Sequence, residues 1–282
     1  MTQTRSKLGL RLVTGLVLGI FVLALVLVPA MRLPLTIFIA MLSALGLFEY
    51  YNLARAKGVI PAELTGIISA MVLVLSAYWD SHTLVSALFF LAAGTVVYTH
   101  ILRGLHSVSG VAISVFGVLY VGWMPAHFIL LHGLRPEGVG LVAFLIVSVV
   151  LCDTGAYFVG KSLGRHKMAP RLSPNKTWEG AVGGLSATAL SSLVLYVLRR
   201  NMDWTSLPNA SLHWYILTGL CLGIASQVGD LAESMLKRDA GVKDSGAIVP
   251  GHGGVLDRCD GFLLATPVLY YLTVLFGIPS AP

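Results

Sequence analysis

The sequence predicts an all-α polytopic integral membrane protein with about nine transmembrane helices and a polar site facing the cytoplasm. Three observations carry this. Of the 282 residues 56% are hydrophobic and only 11% charged, and the mean hydropathy is +0.82. Apolar runs long enough to cross a bilayer recur along the whole chain, leaving too little polar chain for a soluble domain of ordinary size.

A window of about 20 residues places spans near 10–29, 34–53, 61–79, 83–102, 108–131, 139–160, 178–198, 212–236 and 261–278. The first follows Arg5, Lys7 and Arg11 as a secretory signal would, but it runs to Val28 without a small-residue cleavage site and reads as a retained span. The third and fourth are separated by Asp80, Ser81 and His82.

Basic residues accumulate on the cytoplasmic side of membrane proteins. With the N-terminus inside, that side receives Arg5, Lys7 and Arg11, then Arg55, Lys57, Arg103, Lys161, Arg165, Lys167, Arg171, Lys176, Lys237, Arg238, Lys243 and Arg258. Only Arg32, Arg135, Arg199 and Arg200 of the 19 Lys and Arg fall opposite. The bias supports an odd span count, and it explains the net charge of +6 without nucleic acid. Cys152, Cys221 and Cys259 form no C-x-x-C pair, which argues against a disulfide framework or a zinc site.

Nine of the 13 acidic residues lie after residue 150, together with the two longest polar loops, 161–177 and 237–260. Residues 1–105 therefore read as scaffold helices and 106–282 as the functional region.

Glu49, Asp153, Asp230 and Glu233 fall inside expected spans. A charge at the bilayer centre costs roughly 2.5–3.5 kcal/mol on insertion scales, so such residues are functional candidates. At a rise of about 1.5 Å per residue all four sit in one layer near the cytoplasmic headgroups. Ser226, Asp230, Glu233 or Ser234, and Lys237 recur at three- and four-residue spacing and share one helix face. An internal polar seam of paired acids and bases is the alternative for Glu233 and Glu49.

The loop Pro250-Gly251-His252-Gly253-Gly254-Val255-Leu256-Asp257-Arg258-Cys259-Asp260 precedes the last helix. Its glycines and the helix N-terminus form an expected phosphate cradle. Asp257 and Asp260, three apart, can share a face and offer oxygen ligands suited to Mg²⁺ held with substrate phosphates, or they can equally cap the helix. Lys237, Arg238, Lys243 and Arg258 nearby favour a polyphosphate. Before the seventh span, Asn175 and Lys176 can reach a phosphate and a hydroxyl or base, while Thr177 and Trp178 can simply cap and anchor the helix.

Residues 155–162 satisfy the P-loop pattern, yet they end a transmembrane span, whereas a P-loop works only between a strand and a helix. His82, His100, His127 and His132 lack metal-ligand spacing. Neither a G-x-S-x-G elbow nor an H-E-x-x-H helix is present.

Taken together, Ser234 through Arg238, Lys243-Asp244-Ser245-Gly246 and the loop from Pro250 to Asp260 resemble the signature of the phosphatidate cytidylyltransferases, or CDP-diacylglycerol synthases. Asp153 to Tyr157, Ser173 to Gly180, and Gly229 to Ser234 are similar to the same family, so the resemblance covers roughly residues 150–261. Val249 and Cys259 depart mildly from the family pattern, with side chains of similar size.

The resemblance implies that CTP and phosphatidic acid give CDP-diacylglycerol and pyrophosphate. It implies Mg²⁺, with room for a second cation, on Asp230 and Asp257 with Asp260 as a further ligand or supporting residue. Lys237, Arg238, Lys243 and Arg258 are then expected on the CTP phosphates or the departing pyrophosphate, and His252, Gly253 and Gly254 as backbone donors to the same group. Asn175 and Lys176 orient substrate, Asp153 and Asp244 organise the cations, and Ser226 and Ser234 complete the substrate-binding set.

A CTP-dependent polyprenol or phytol kinase would need similar loops, and an ion-coupled transporter would place acids along a helix. The one-sided depth of the acids argues against the transporter. A bacterial inner membrane, a cytoplasmic N-terminus and a homodimer are further expectations. Gly183-Gly184 offers a small-residue stretch for close helix contact in such a dimer.

Overall fold

In the computed structural model, residues 19, 21–105, 107–202, 204–248 and 253–278 are described. Nine α-helices are assigned among them: α1 (Arg32–Ala56), α2 (Glu63–Ser76), α3 (His82–Leu102), α4 (Val108–Val118), α5 (Met124–Gly133), α6 (Gly138–Leu163), α7 (Trp178–Asn201), α8 (Leu212–Asp239) and α9 (Leu256–Leu275). Half of the first expected span, residues 10–18 and 20, lies outside the described residues; of the rest, 19 and 21–27 are α-helical.

Among the described residues six helices are long and apolar enough to cross a membrane: Arg32–Ala56, His82–Leu102, Val108–Gly133, Gly138–Leu163, Trp178–Asn201 and Leu212–Asp239. Each overlies an expected span. Val108–Gly133 comprises α4, a π-helical turn at Leu119–Trp123, and α5. Glu63–Trp79 is a shorter apolar helix, and α9 has 20 residues. Phe90, Leu91 and Leu190 are each more than 60% exposed. Bare apolar faces of this kind suit lipid rather than water.

The chain divides into two compact units. One contains residues up to Trp123 together with Val242–Arg258; the other contains Met124–Gly241 and the chain from Cys259 onward. The division differs from the expected boundary at 105/106, and it assigns most of the second polar loop to the N-terminal unit.

In the first unit the Asp80-Ser81-His82 break is a capped turn. Asp80 adopts a left-handed conformation, and the Ser81 hydroxyl accepts the Leu84 N–H at 3.1 Å, supplying one of the partners a helix start lacks. Arg32 Nη1 donates to Asp80 Oδ2 at 2.8 Å, tying the starts of α1 and α3. Tyr51 on α1 is fully buried and donates to the Ser114 carbonyl of α4 at 3.1 Å. Leu35, Leu47 and Leu73 fill the surrounding core.

The second unit is held by close helix packing. A Cβ on Gly155 would meet Ala187 Cβ at 2.7 Å, and one on Gly180 would meet the Ala156 carbonyl at 2.8 Å, so α6 and α7 cross backbone to backbone. The tilted rings of Phe144 and Tyr215 pack 5.6 Å apart between α6 and α8 in the core. Gly183 and Gly184 pack against Val159 and Cys152 of α6. They serve contacts within the chain, so the support they lent to a dimer interface falls away.

The polar loop 161–177 has structure of its own. Helix α6 continues to Leu163, and Lys167–Ala169 (β1) pairs antiparallel with Ser173–Thr177 (β2). Glu179 fixes this hairpin to the start of α7 by accepting the Arg165 N–H at 3.0 Å and the His166 N–H at 3.2 Å. Such carboxylate contacts bridge 13 or 14 residues and leave no local sequence pattern. The P-loop-like residues 155–162 lie wholly within α6 and are helical.

Candidate active site

Two polar clusters emerge, one in each unit. The cluster of the second unit gathers Asp153 on α6, Lys176 on β2, Asp230, Glu233 and Lys237 on α8, and Asp260 on α9. Lys176 Nζ lies 2.6 Å from Asp230 Oδ2. Asp153 feels the charges of Asp230 and Lys176, and Asp260 those of Asp230, Asp153 and Lys237. Glu233, fully buried, pairs with Lys237 one turn along the same helix. The pair lies within one helix, whereas the alternative reading for Glu233 expected a base from a neighbouring helix.

Glycines bring these groups together. A Cβ on Gly229 would sit 2.4 Å from the Asp260 carbonyl oxygen, so α8 and α9 meet where Asp230 and Asp260 project. One turn away, Gly261 packs onto the Ser226 hydroxyl in the same manner. That hydroxyl is buried without a hydrogen-bond partner among the described residues. Thr177 caps α7 by accepting the Gly180 N–H at 3.1 Å, which fixes the residue next to Lys176.

The cluster of the first unit is built on the signature loop. Asp257 Oδ2 accepts three hydrogen bonds, from Ser245 N–H (3.0 Å), Ser245 Oγ (3.1 Å) and Gly254 N–H (2.9 Å). Glu49 is 1% exposed; its Oε1 accepts Val255 N–H at 3.0 Å, and its Oε2 accepts Leu256 N–H at 2.9 Å and Ser245 Oγ at 3.0 Å.

The expected phosphate cradle is thereby revised. The N–H groups of Gly254, Val255 and Leu256 already serve two carboxylates of the protein, because a buried helix start must satisfy its donors internally. Gly253 stands in the left-handed region at φ +86°, which glycine adopts without a Cβ penalty. His252 lies outside the described residues.

Asn175, Lys243, Asp244 and Arg258 are exposed. Arg238 is exposed too, and its Nε donates to the Leu172 carbonyl of the hairpin turn at 3.1 Å, so this arginine also braces the hairpin. Ser234 is half-buried on α8. Lys161 lies 3.4 Å from the Tyr157 hydroxyl.

Glu49 is absent from the expected site. The available signal was an acid inside an apolar span, but its partners lie 196 to 207 residues away.

Among the described residues no group of three or more His, Cys, Asp or Glu side chains is arranged to hold a metal ion. Mg²⁺ bound with a nucleotide does not require one. It takes one or two carboxylates, with substrate phosphates and water completing the octahedron. The donors are all carboxylate oxygens, and in the second unit Asp153, Asp230, Asp260 and Glu233 outnumber Lys176 and Lys237. With every group ionised an excess of negative charge remains, and the chemistry of the donor set fits a divalent cation.

This combination of apolar spans with a dense acid and base cluster has known relatives. The cytidylyltransferase family model matches residues 9–276, and the chain belongs to that family. It is 34% identical over 272 residues to a phosphatidate cytidylyltransferase of Bacillus subtilis, covering 95% of this chain and 98% of the relative. It is 36% identical over 282 residues to one of Brucella suis, covering 98% and 97%. A third, from Synechocystis, is 35% identical over 269 residues, covering 84% and 87%.

Proposed function

We propose that this enzyme transfers the cytidylyl group of CTP to phosphatidic acid, forming CDP-diacylglycerol and pyrophosphate at the cytoplasmic face of a bacterial inner membrane. The observation that carries the reading is the family match across residues 9–276, with relatives of that activity aligned over nearly their whole length.

The chemistry asks little covalent work of the protein. A phosphate oxygen of the lipid attacks the α-phosphorus of CTP in line, and the bond to the β-phosphate oxygen breaks as pyrophosphate leaves. The nucleophile is already anionic, so no serine, cysteine or strong base is needed. The barrier is the repulsion between two anions and the charge building on the leaving group. Asp230 and Asp260 in one unit, and Asp257 in the other, are the carboxylates proposed as Mg²⁺ ligands, and the ion would supply Lewis-acid neutralisation of the phosphates.

The protein's own groups do the remaining work. Lys237, Arg238, Lys243 and Arg258 attract the triphosphate and stabilise the departing pyrophosphate. Lys176 and Asn175 orient substrate, and Asp153 and Asp244 hold the cationic groups in place. Ser245, donating to Asp257 Oδ2, helps fix the orientation of that carboxylate. The excess of Lys and Arg in the loops assigned to the cytoplasmic side supports cytoplasmic access for CTP, while phosphatidic acid stays in the adjoining leaflet.

The test supplies detergent-purified protein with phosphatidic acid, Mg²⁺ and CTP labelled at the α-phosphorus. Label in a chloroform-soluble product, lost on chelation, supports cytidylyl transfer. Label that remains aqueous sinks the reading. A chloroform-soluble product from γ-labelled CTP and polyprenol would then indicate the kinase.

A further inference from the structure

We infer that Glu49, on α1 of the N-terminal helices, is a positioning residue for the signature loop and sets the orientation of Asp257 through a shared hydroxyl. This deepens the proposed function and rests on it.

The geometry starts from an unmet need. The first N–H groups of α9 have no partner within the helix, and Gly253 and Gly254 bring no side chain to cap it. Glu49 supplies the acceptors from the N-terminal half of the chain, binding Val255 N–H at 3.0 Å and Leu256 N–H at 2.9 Å. The helix dipole favours a carboxylate at that position. The same carboxylate takes Ser245 Oγ at 3.0 Å, so it clamps the start and the end of the loop together.

Ser245 then links two acids. Its hydroxyl has one proton and lies 3.0 Å from Glu49 Oε2 and 3.1 Å from Asp257 Oδ2. Displacing the Glu49 oxygen releases that proton to Asp257 alone and frees the α9 start to shift. Two glycines of the signature leave room for this acid, Gly254 together with the Ser245 hydroxyl, which a Cβ there would meet at 2.1 Å. A Cβ on Gly246 would fall 2.4 Å from Glu49 Oε1, and one on Gly254 would fall 2.5 Å from Oε2. Separations this short are steric overlap, so only glycine leaves room for the carboxylate.

A purely structural glutamate would lower stability and leave the turnover of the folded fraction unchanged. A positioning glutamate changes turnover in folded protein. The experiment compares Glu49→Gln and Glu49→Asp with the unaltered protein in detergent, reading kcat, KM for phosphatidic acid, thermal midpoint, and hydrogen exchange in the peptide covering 244–258. Gln turns an amide N–H₂ toward a backbone donor, whereas Asp keeps the charge and both acceptor oxygens.

The expected result is faster exchange in that peptide and a 10- to 100-fold fall in kcat for Glu49→Gln, typical of groups that orient ligand-bearing carboxylates. KM for phosphatidic acid stays put, and Glu49→Asp recovers part of the loss. A folded Glu49→Gln protein with unaltered kcat overturns the inference. Should neither variant fold, Ser245→Ala decides. It removes the shared hydroxyl and keeps both backbone bonds to Glu49, and unaltered turnover there overturns the inference equally. Absence of cytidylyl transfer by the unaltered protein in the same assay marks failure of the proposed function instead.

Discussion

Lys176 Nζ lies 2.6 Å from Asp230 Oδ2, joining the second strand of the hairpin to α8. Both side chains are partly shielded, at 23% and 36% exposure, so the pair retains more of its Coulomb attraction than a fully solvated one. The hairpin is thereby locked onto the acidic cluster, and Lys176 balances one of its carboxylates.

Replacing Lys176 by Met keeps most of the apolar stem and deletes the charge. Asp230 is then held by its surroundings alone, and the anionic substrates meet a more negative cluster. Steady-state transfer of α-labelled cytidylyl should fall roughly 10- to 100-fold in kcat/KM, the usual cost of losing a group that orients a ligating carboxylate. Unaltered kcat/KM in the folded variant would show that the ion pair is incidental to turnover.

Asp257 has two roles that separate by substitution. Its Oδ2 gathers Ser245 and Gly254, and the proposed function also gives it a cation. Asp257→Ala removes both roles and should abolish turnover. Asp257→Asn retains an acceptor oxygen for the loop donors but forfeits the charge, so the loop peptide should exchange at its native rate while turnover still falls below about one hundredth. High activity in Asp257→Asn would make the residue a loop anchor only.

The spans were legible because long apolar runs are a local signal. Each of the six span-length helices overlies an expected span, and Thr177 caps its helix as its residue type suggests. What stayed hidden depends on contacts distant in sequence. Glu49 reads as one of four acids in a cytoplasmic layer, but its partners at 245, 255 and 256 become neighbours only on folding. The hairpin at 167–177 escaped for a different reason: five residues of Ser173–Thr177 include Pro174 and lack alternating apolar residues. Of the cradle, the Gly254 N–H serves an internal carboxylate instead of an anion, a choice its sequence does not reveal because glycine-rich helix starts can bind either by the same N–H groups.

Gly229 tests the packing that places Asp230 beside Asp260. A methyl there would sit 2.4 Å from the Asp260 carbonyl, a backbone atom that cannot rotate away. Gly229→Ala should therefore cost about 1–3 kcal/mol through overpacking, seen as a lowered thermal midpoint in detergent. Because the strain falls between the two carboxylates, turnover should decline in the fraction that remains folded. A native midpoint would mean that α8 and α9 separate freely, and the close crossing would lose its role.

Cation dependence gives the sharpest test of the acidic cluster, because two neighbouring substitutions should move it in opposite directions. Asp153, Asp230 and Asp260 act on one another electrostatically, with Lys176 and Lys237 opposing them. Removing a carboxylate weakens attraction for a divalent ion, and removing an ammonium strengthens it. Chelation should abolish transfer by the unaltered protein, and Mg²⁺ should restore it. In Asp260→Asn the Mg²⁺ concentration giving half-maximal rate should rise about tenfold, the equivalent of roughly 1.4 kcal/mol. In Lys176→Met it should fall even as the maximal rate drops, since the ion gains a more negative site while substrate orientation is lost. A shift of the same sign in both variants would mean that the cation is bound outside this cluster, leaving Asp230 and Asp260 to organise the lysines alone.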